Sequence, residues 1–294
     1  MTENGVIIKG LGGLYTVAYR GKMFSCPARG IFRKDRTKPM IGDLVELAAI
    51  DENECTAVIQ RILPRKNQMI RPAVANVDQV IVVMATRSPA PDLLLIDKLL
   101  INARQKNIGI VMVINKTDQD PALADSWYEE YRNAVPCVLR ACTKDGCGIA
   151  ELKALLTDKI SVLAGQSGAG KSSLLNILMG TGMMATGELS AKTDRGRHTT
   201  RHNEMFMTET GFIIDSPGFS LFEMEELQPL ALQNLYPEIY NNEGSCFFPD
   251  CSHTGEPKCH VSELIEQGKF SPGRYERYKL LYRELKEREK NKYK

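Results

Sequence analysis

The chain has 294 residues, 43% of them hydrophobic and 25% charged, a balance ordinary for a globular protein rather than a disordered one, and its length leaves room for two or three folded domains. Its net charge is only +2, but residues 1–70 hold 11 basic against 7 acidic side chains and residues 271–294 hold 9 against 4, so basic ends flank an acidic middle. No apolar run approaches the roughly 18 residues of a spanning helix, and the start MTENGVIIKGLGG lacks a signal-peptide pattern, which predicts a cytoplasmic protein with no membrane partner.

From Val6 to Leu63 the sequence alternates in short runs broken by Gly and Pro: VIIKG, LYTVAY, KMFSCPARGIF, GDLVEL and TAVIQRIL. Five such strands predict a small barrel. An OB-fold suits both the strand count and the loop near Arg33 to Lys38 in the basic run Arg20, Lys22, Arg29, Arg33, Lys34, Arg36 and Lys38, since this barrel binds nucleic acid through strand faces and loops. An SH3-like barrel or a purely structural β domain is the alternative to the OB-fold, and a solvated basic loop the alternative for the charges.

Beyond a connector from Pro64 to Pro72, the alternation gives way to solid apolar runs separated by helical ones: QVIVVMA, the amphipathic DLLLIDKLLINARQK, then IGIVMVI. This is the pattern of an α/β domain with a buried parallel sheet. The third run ends in Asn115, Lys116, Thr117 and Asp118, an N-K-x-D motif at the carboxyl edge where open α/β sheets bind ligands. A carboxylate at Asp118 can accept from N1–H and the 2-amino group of guanine, whereas adenine offers neither donor, so the motif selects GTP over ATP.

The next apolar strand begins at Ile160 and runs into Gly165, Gln166, Ser167, Gly168, Ala169, Gly170, Lys171 and Ser172, which fill G-x-x-x-x-G-K-[ST] ahead of Ser173 and a Leu-rich helix. Glycines let backbone N–H groups turn inward around phosphate oxygens. Lys171 would reach the β- and γ-phosphates and Ser172 would bind Mg²⁺. Further on, Asp215 and Gly218 fill D-x-x-G after the strand GFIID, where Asp215 would hold Mg²⁺ through water and the Gly218 N–H would sense the γ-phosphate. The polar stretch from Glu188 to Arg201 reads as a switch, with Thr199 or Thr200 closing on Mg²⁺. Ordinary GTPases place N-K-x-D last; here it precedes the phosphate loop, which is the order of a circular permutation.

Of the eight cysteines, Cys246, Cys251 and Cys259 with His253 form C-x₄-C-x-H-x₅-C, a closed tetrahedral donor set for a structural Zn²⁺. His260 is an alternative ligand. Cys26, Cys55, Cys137, Cys142 and Cys147 lack ligand spacing and read as small apolar or loop residues. From Ser271 the chain predicts an N-capped helix with Tyr275, Tyr278, Leu281, Tyr282 and Leu285 on one face, either packed on the zinc module or touching RNA.

GQSGAGKSSLLN, GRHTT, DSPGF, the permuted NKTD and CFFPDCSH with EPKC together resemble the ribosome small subunit-dependent GTPase A family over nearly the whole chain. The resemblance implies an OB-fold at residues 1–68, a circularly permuted P-loop GTPase domain at 69–222 and an α-helical zinc-binding domain at 223–294. It also implies a monomeric GTP hydrolase that docks on the small (30S) ribosomal subunit and its 16S rRNA late in maturation, where the subunit stimulates turnover. Phe219 stands where Ras-like GTPases carry the water-orienting Gln, so His198 is the candidate that positions water, a solvent-exposed loop histidine being its alternative. Where the family shows a Ser-Ala-Lys loop beside guanine, this chain has Cys142, Thr143 and Lys144. A non-enzymatic RNA-binding module is the competing class; a P-loop kinase is disfavoured by N-K-x-D.

Overall fold

The computed structural model describes residues 4–11, 13–27, 38–69, 73–180, 204–215, 227–242, 244 and 246–291. His198, Thr199, Thr200, Gly218 and Phe219 lie outside these residues, as do Arg29, Arg33, Lys34 and Arg36 of the basic run. The chain forms two compact units. The first comprises Met1–Val80, Ile149–Ala164 and Lys171–Phe219, and the second Ile81–Gly148, Gly165–Gly170 and Ser220–Lys294.

In the first unit, β1 (Gly5–Leu11), β2 (Leu14–Tyr19), β3 (Lys22–Pro27), β4 (Leu44–Asp51) and β5 (Thr56–Ile62) close a barrel in the order β1-β2-β3-β5-β4. A parallel bridge between Ser25 and Thr56 and an antiparallel pairing of β1 with β4 complete the ring, giving a Greek-key barrel of the OB type. Period-two alternation sends Phe24 and Cys26 inward with Ile7, Val17, Val45, Ala57 and Ile59. Arg20 and Gly21 turn β2 into β3 with φ of 48° and 77°, the doubly positive geometry that matches strand twist in a two-residue hairpin. At the barrel's exit the fully buried Asp43 accepts from Arg65 through Nε (2.6 Å) and Nη2 (2.8 Å), so the start of the connector is fixed to β4. The short strands β6 (Gln68–Met69) and β7 (Val74–Ala75) follow.

β8 (Gln79–Ala85) leads into the second unit, where it is followed by α1 (Leu93–Gln105), β9 (Gly109–Asn115), a 3₁₀ turn at Thr117–Gln119, α2 (Pro121–Tyr131) and β10 (Val138–Ala141). Every residue of β8 is buried and β9 is buried from Ile110 onward, as solid apolar runs demand; β9 and β10 pair in parallel. Both helices start at carboxylate caps, Asp92 accepting from the Leu95 N–H and Asp120 from the Leu123 N–H, with Pro121 at the first turn of α2. Back in the first unit are α3 (Ile149–Leu155), β11 (Ile160–Ala164), α4 (Lys171–Met179), β12 (Glu204–Met207) and β13 (Phe212–Asp215). β11 pairs with β13 in parallel, which carries Asp215 to the same level as Leu163. α4 buries Leu174, Leu175, Leu178 and Met179, the face its leucine spacing predicts.

The C-terminal region of the second unit holds a 3₁₀ helix at Pro229–Leu235, then α5 (Pro237–Tyr240), α6 (His260–Glu266) and α7 (Pro272–Asn291). Leu232, Tyr236, Val261, Leu264, Phe270 and Leu281 form its core together with Tyr278, Tyr282 and Leu285 of α7. The Tyr/Leu stripe of α7 therefore packs inward, with Tyr275 only half-buried. What the stripe does not announce is that Arg274 and Arg277 lie on the same buried face.

Candidate functional site

The phosphate loop is shaped by close backbone approach. Gly165, Gly168 and Gly170 have φ of +128°, +79° and +97°. A Cβ on Gly165 would stand 2.1 Å from the Val83 carbonyl oxygen, and one on Gly170 would stand 2.2 Å from Asn115 Nδ2. Only glycine fits either position. The N-K-x-D residues divide their labour around this loop. Asn115, 1% exposed at the end of β9, donates through Nδ2 to the Ala169 carbonyl at 2.9 Å. Lys116, in the left-handed region at φ 62°, donates through Nζ to the Ser88 and Gly168 carbonyls, both at 2.8 Å. Gln166 Oε1 accepts from the Asp92 N–H at the cap of α1, 2.9 Å away. Asn115 and Lys116 thus brace the loop's main chain, and Asp118 is the motif's outward-facing acceptor.

Asp118 is met by two groups that sequence reasoning left aside. Lys144 Nζ lies 2.5 Å from Oδ2 and Cys142 Sγ lies 3.5 Å from Oδ1. The Lys144 hydrogen bond, aided by Cys142, holds the Asp118 carboxyl below the usual aspartate range despite some burial. Thr117 Oγ1 donates to the Ala141 carbonyl at 3.3 Å, fastening the motif to the end of β10. The C-T-K loop departs from the family's residue types, and its chemistry still places a donor and a cation beside the motif's carboxylate.

At the residue after Gly170, α4 opens with Lys171. Burial lowers the Lys171 ammonium below its ordinary range and the Asp215 carboxylate opposes that shift; an arriving phosphate anion would oppose it further and favour the charged form. Ser172, at the first turn of α4, carries the hydroxyl that would hold Mg²⁺, and the helix presents its N-terminal N–H groups at the same end.

The zinc donors also converge. Ligand atoms of Cys246, Cys251, His253 and Cys259 all lie within 4.8 Å of one another. Cys246 Sγ is 3.9 Å from Cys259 Sγ, and His253 Nδ1 is 3.4 Å from each. A tetrahedron with ordinary Zn–S and Zn–N bonds has edges of about 3.8 Å and about 3.6 Å, so the donor set fits Zn²⁺. Burial pushes the Cys251 thiol up to about 12 and raises Cys259 as well, so thiolates there call for a bound cation. His260 is not part of the set: its ring faces Glu263 at 3.1 Å, and only its backbone N–H reaches Cys246 Sγ. Gln233 Oε1, 2.7 Å from His253 Nε2, accepts that N–H and leaves Nδ1 free for metal. Nothing in the local C-x₄-C-x-H-x₅-C spacing points to a glutamine 20 residues upstream of His253. Gln233→Leu is expected to weaken zinc binding by about 10–100-fold in chelator competition, and an unchanged affinity would remove Gln233 from the site.

A glycine-built phosphate loop followed by Lys-Ser, braced by an N-K-x-D motif that precedes it in the chain, defines a circularly permuted P-loop GTPase. The model of the RsgA GTPase family matches residues 62–225, and that of the RsgA N-terminal domain matches residues 4–58. The chain belongs to the RsgA GTPase family, and it is a GTP hydrolase. It is 43% identical over 282 residues to the small ribosomal subunit biogenesis GTPase RsgA of Carboxydothermus hydrogenoformans, covering 96% of this chain and 97% of that one. The protein of the same name from Agathobacter rectalis is 40% identical over 299 residues, covering 97% and 99%. Among solved structures, YjeQ from Thermotoga maritima superposes with a TM-score of 0.78 at 34% identity, covering 96% of this chain and 98% of that one. YloQ, described as a circularly permuted GTPase, gives 0.77 at 33% identity, with coverage of 98% and 96%.

Proposed function

We propose that this GTPase binds the small ribosomal subunit through its rRNA, acts late in the subunit's maturation, and is stimulated by it. The relatives' shared name and the nearly full-length match support the partner. The observation that carries the guanine part is the Asp118 carboxylate, ionised and outward-facing beside a phosphate loop braced by Asn115 and Lys116. In this reading Asp118 accepts from the guanine edge, while Gly165, Gln166, Ser167, Gly168, Ala169 and Gly170 wrap the β-phosphate with Lys171, Ser172 and Ser173. Mg²⁺, when bound, would neutralise charge across the β- and γ-phosphate oxygens, held by Ser172 and, through water, by Asp215. Thr199 or Thr200 and Gly218 serve as switch contacts to the γ-phosphate, and His198 orients the attacking water. Cys246, Cys251, His253 and Cys259 hold one structural Zn²⁺ with no open position for substrate. The three domains are bounded as the sequence suggests, at 1–68, 69–222 and 223–294, in a monomeric cytoplasmic protein; the described residues contain no helix long and apolar enough to cross a membrane.

The test is GTP turnover by the purified protein alone, with small subunits and with large subunits, and with ATP as control. Stimulation of at least about tenfold by small subunits only, with ATP inert, is the expected result; a GAP-like partner can supply far more. Equal rates under all conditions would remove the subunit from this reading.

A further inference from the structure

The loop after β10 holds two cysteines outside the zinc site, one of them beside Asp118. Cys142 is 1% exposed and its thiol contacts Asp118 Oδ1 at 3.5 Å, while Cys147 is exposed. The chain folds back so that the Cys142 N–H donates to the Cys147 carbonyl at 3.0 Å and the Gly146 N–H donates to the Cys142 carbonyl at 3.1 Å. With standard backbone dimensions the first of these bonds keeps the two Cα atoms within about 7 Å, the span that a disulfide bridges. The return leg is held there. A Cβ on Gly148, whose φ is +70°, would stand 2.0 Å from the Arg140 carbonyl oxygen and 3.3 Å from Ala141 Cα. The residue after Cys147 is therefore pressed against the strand that delivers Cys142.

We propose that Cys142 and Cys147 form a peroxide-sensitive thiol pair that governs guanine binding at Asp118; the proposal rests on the guanine reading of Asp118 given above. Hydrogen peroxide oxidises the exposed Cys147 thiol to a sulfenic acid as its O–O bond breaks and one water leaves. The Cys142 sulfur then attacks the Cys147 sulfur, the S–O bond breaks, and the hydroxyl leaves with the Cys142 proton as a second water. Two thiols and one peroxide give one disulfide and two waters, the sulfurs being oxidised and the peroxide reduced. Cys142 then has no S–H to offer Asp118 and its sulfur is drawn toward Cys147. The carboxylate is left to Lys144, whose ammonium already sits 2.5 Å from Oδ2 and competes with the base for it. Disulfides in reducing compartments are characteristically transient and redox-sensing, which suits an exposed thiol beside a buried one.

The experiment uses the full, zinc-loaded chain, treated with hydrogen peroxide and titrated with a fluorescent GDP, with peptide mapping of the product. A peptide joining Cys142 to Cys147 is expected, with GDP affinity reduced by about tenfold or more and restored by dithiothreitol. Cys147→Ser, which alters only the exposed partner, should keep the untreated affinity and resist the peroxide. Zinc release, followed with a metal-sensitive dye, separates oxidation of the Cys246 cluster. A joined peptide with unchanged affinity, the absence of that peptide, or an equal loss in Cys147→Ser would each overturn the proposal. Untreated Asp118→Asn serves as the control: if it binds GDP as the parent does, the guanine reading itself fails, and if it does not, only the thiol pair is at issue.

Discussion

Asp118→Asn is expected to weaken GTP and GDP binding by on the order of 10²-fold or more and to turn the site toward xanthine nucleotides. Guanine presents two adjacent donors, N1–H and the 2-amino group, to two carboxylate oxygens. Asparagine keeps one acceptor and replaces the other with an N–H₂ group, so a donor then faces a donor. Xanthine carries a carbonyl oxygen at C2, which accepts from that N–H₂ group. Lys144 and Cys142 keep the native carboxyl ionised below the ordinary aspartate range, so guanine preference in the native protein should stay flat from about pH 5 to 8. A shifted xanthine-to-guanine affinity ratio in parallel titrations is the readout. A ratio equal to that of the parent would show that Asp118 does not face the base.

Asp97→Asn should carry the largest stability loss of a single charge in the second unit. Asp97, 1% exposed on α1, accepts from Arg274 Nη1, from Arg277 Nε at 2.6 Å and from the Tyr131 hydroxyl at 3.1 Å. Arg274 Nε also reaches Glu238 at 2.5 Å, and Arg277 Nη2 reaches Glu130 at 2.6 Å. The Arg274 guanidinium lies 5.1 Å and 5.0 Å from the ring centres of Tyr131 and Tyr236. Burial, with repulsion from Arg274, lowers Arg104 to about 10; this third cation donates to the Leu235 and Ala134 carbonyls. Such a cluster contributes little against an apolar core of the same shape, but neutralising Asp97 leaves three buried or half-buried cations, Arg104, Arg274 and Arg277, against the two carboxylates of Glu238 and Glu130. The cost is about 3–5 kcal/mol, a large part of a typical domain's stability of about 5–15 kcal/mol. In urea unfolding of the zinc-loaded chain, Asp97→Asn should move the transition strongly. Glu129→Gln, which breaks an exposed i,i+3 pair with Arg132, should change stability by less than about 1 kcal/mol. Equal shifts in the two variants would mean that the buried network does not fasten α7 to α1.

The barrel's five strands, β9 ending at Asn115, the loop-to-helix junction at Lys171 and the four converging zinc donors were legible because each rests on short-range chemistry. Alternation sets a strand's faces, positive φ calls for glycine, and a donor set that closes within 14 residues has its geometry largely fixed by the chain itself. The permuted motif order was legible too, since it is a property of the sequence alone. The division of labour inside N-K-x-D was not. Spacing cannot tell that Asn115 and Lys116 spend their donors on the Ala169, Gly168 and Ser88 carbonyls, because those partners lie up to 54 positions away.

By itself the sequence determined that this chain carries a phosphate loop, a guanine-type motif in permuted order, a small barrel and a closed metal donor set, because residue type and local spacing dictate each. Only the tertiary structure decided the rest. It set Lys144 and Cys142 on Asp118, Gln233 on His253, and Arg274 and Arg277 inward onto Asp97 from a helix whose sequence reads as an apolar stripe with outward charges. These contacts join residues from 20 to 180 positions apart, and a buried charge can be recognised as satisfied only when the fold has brought its partner to it.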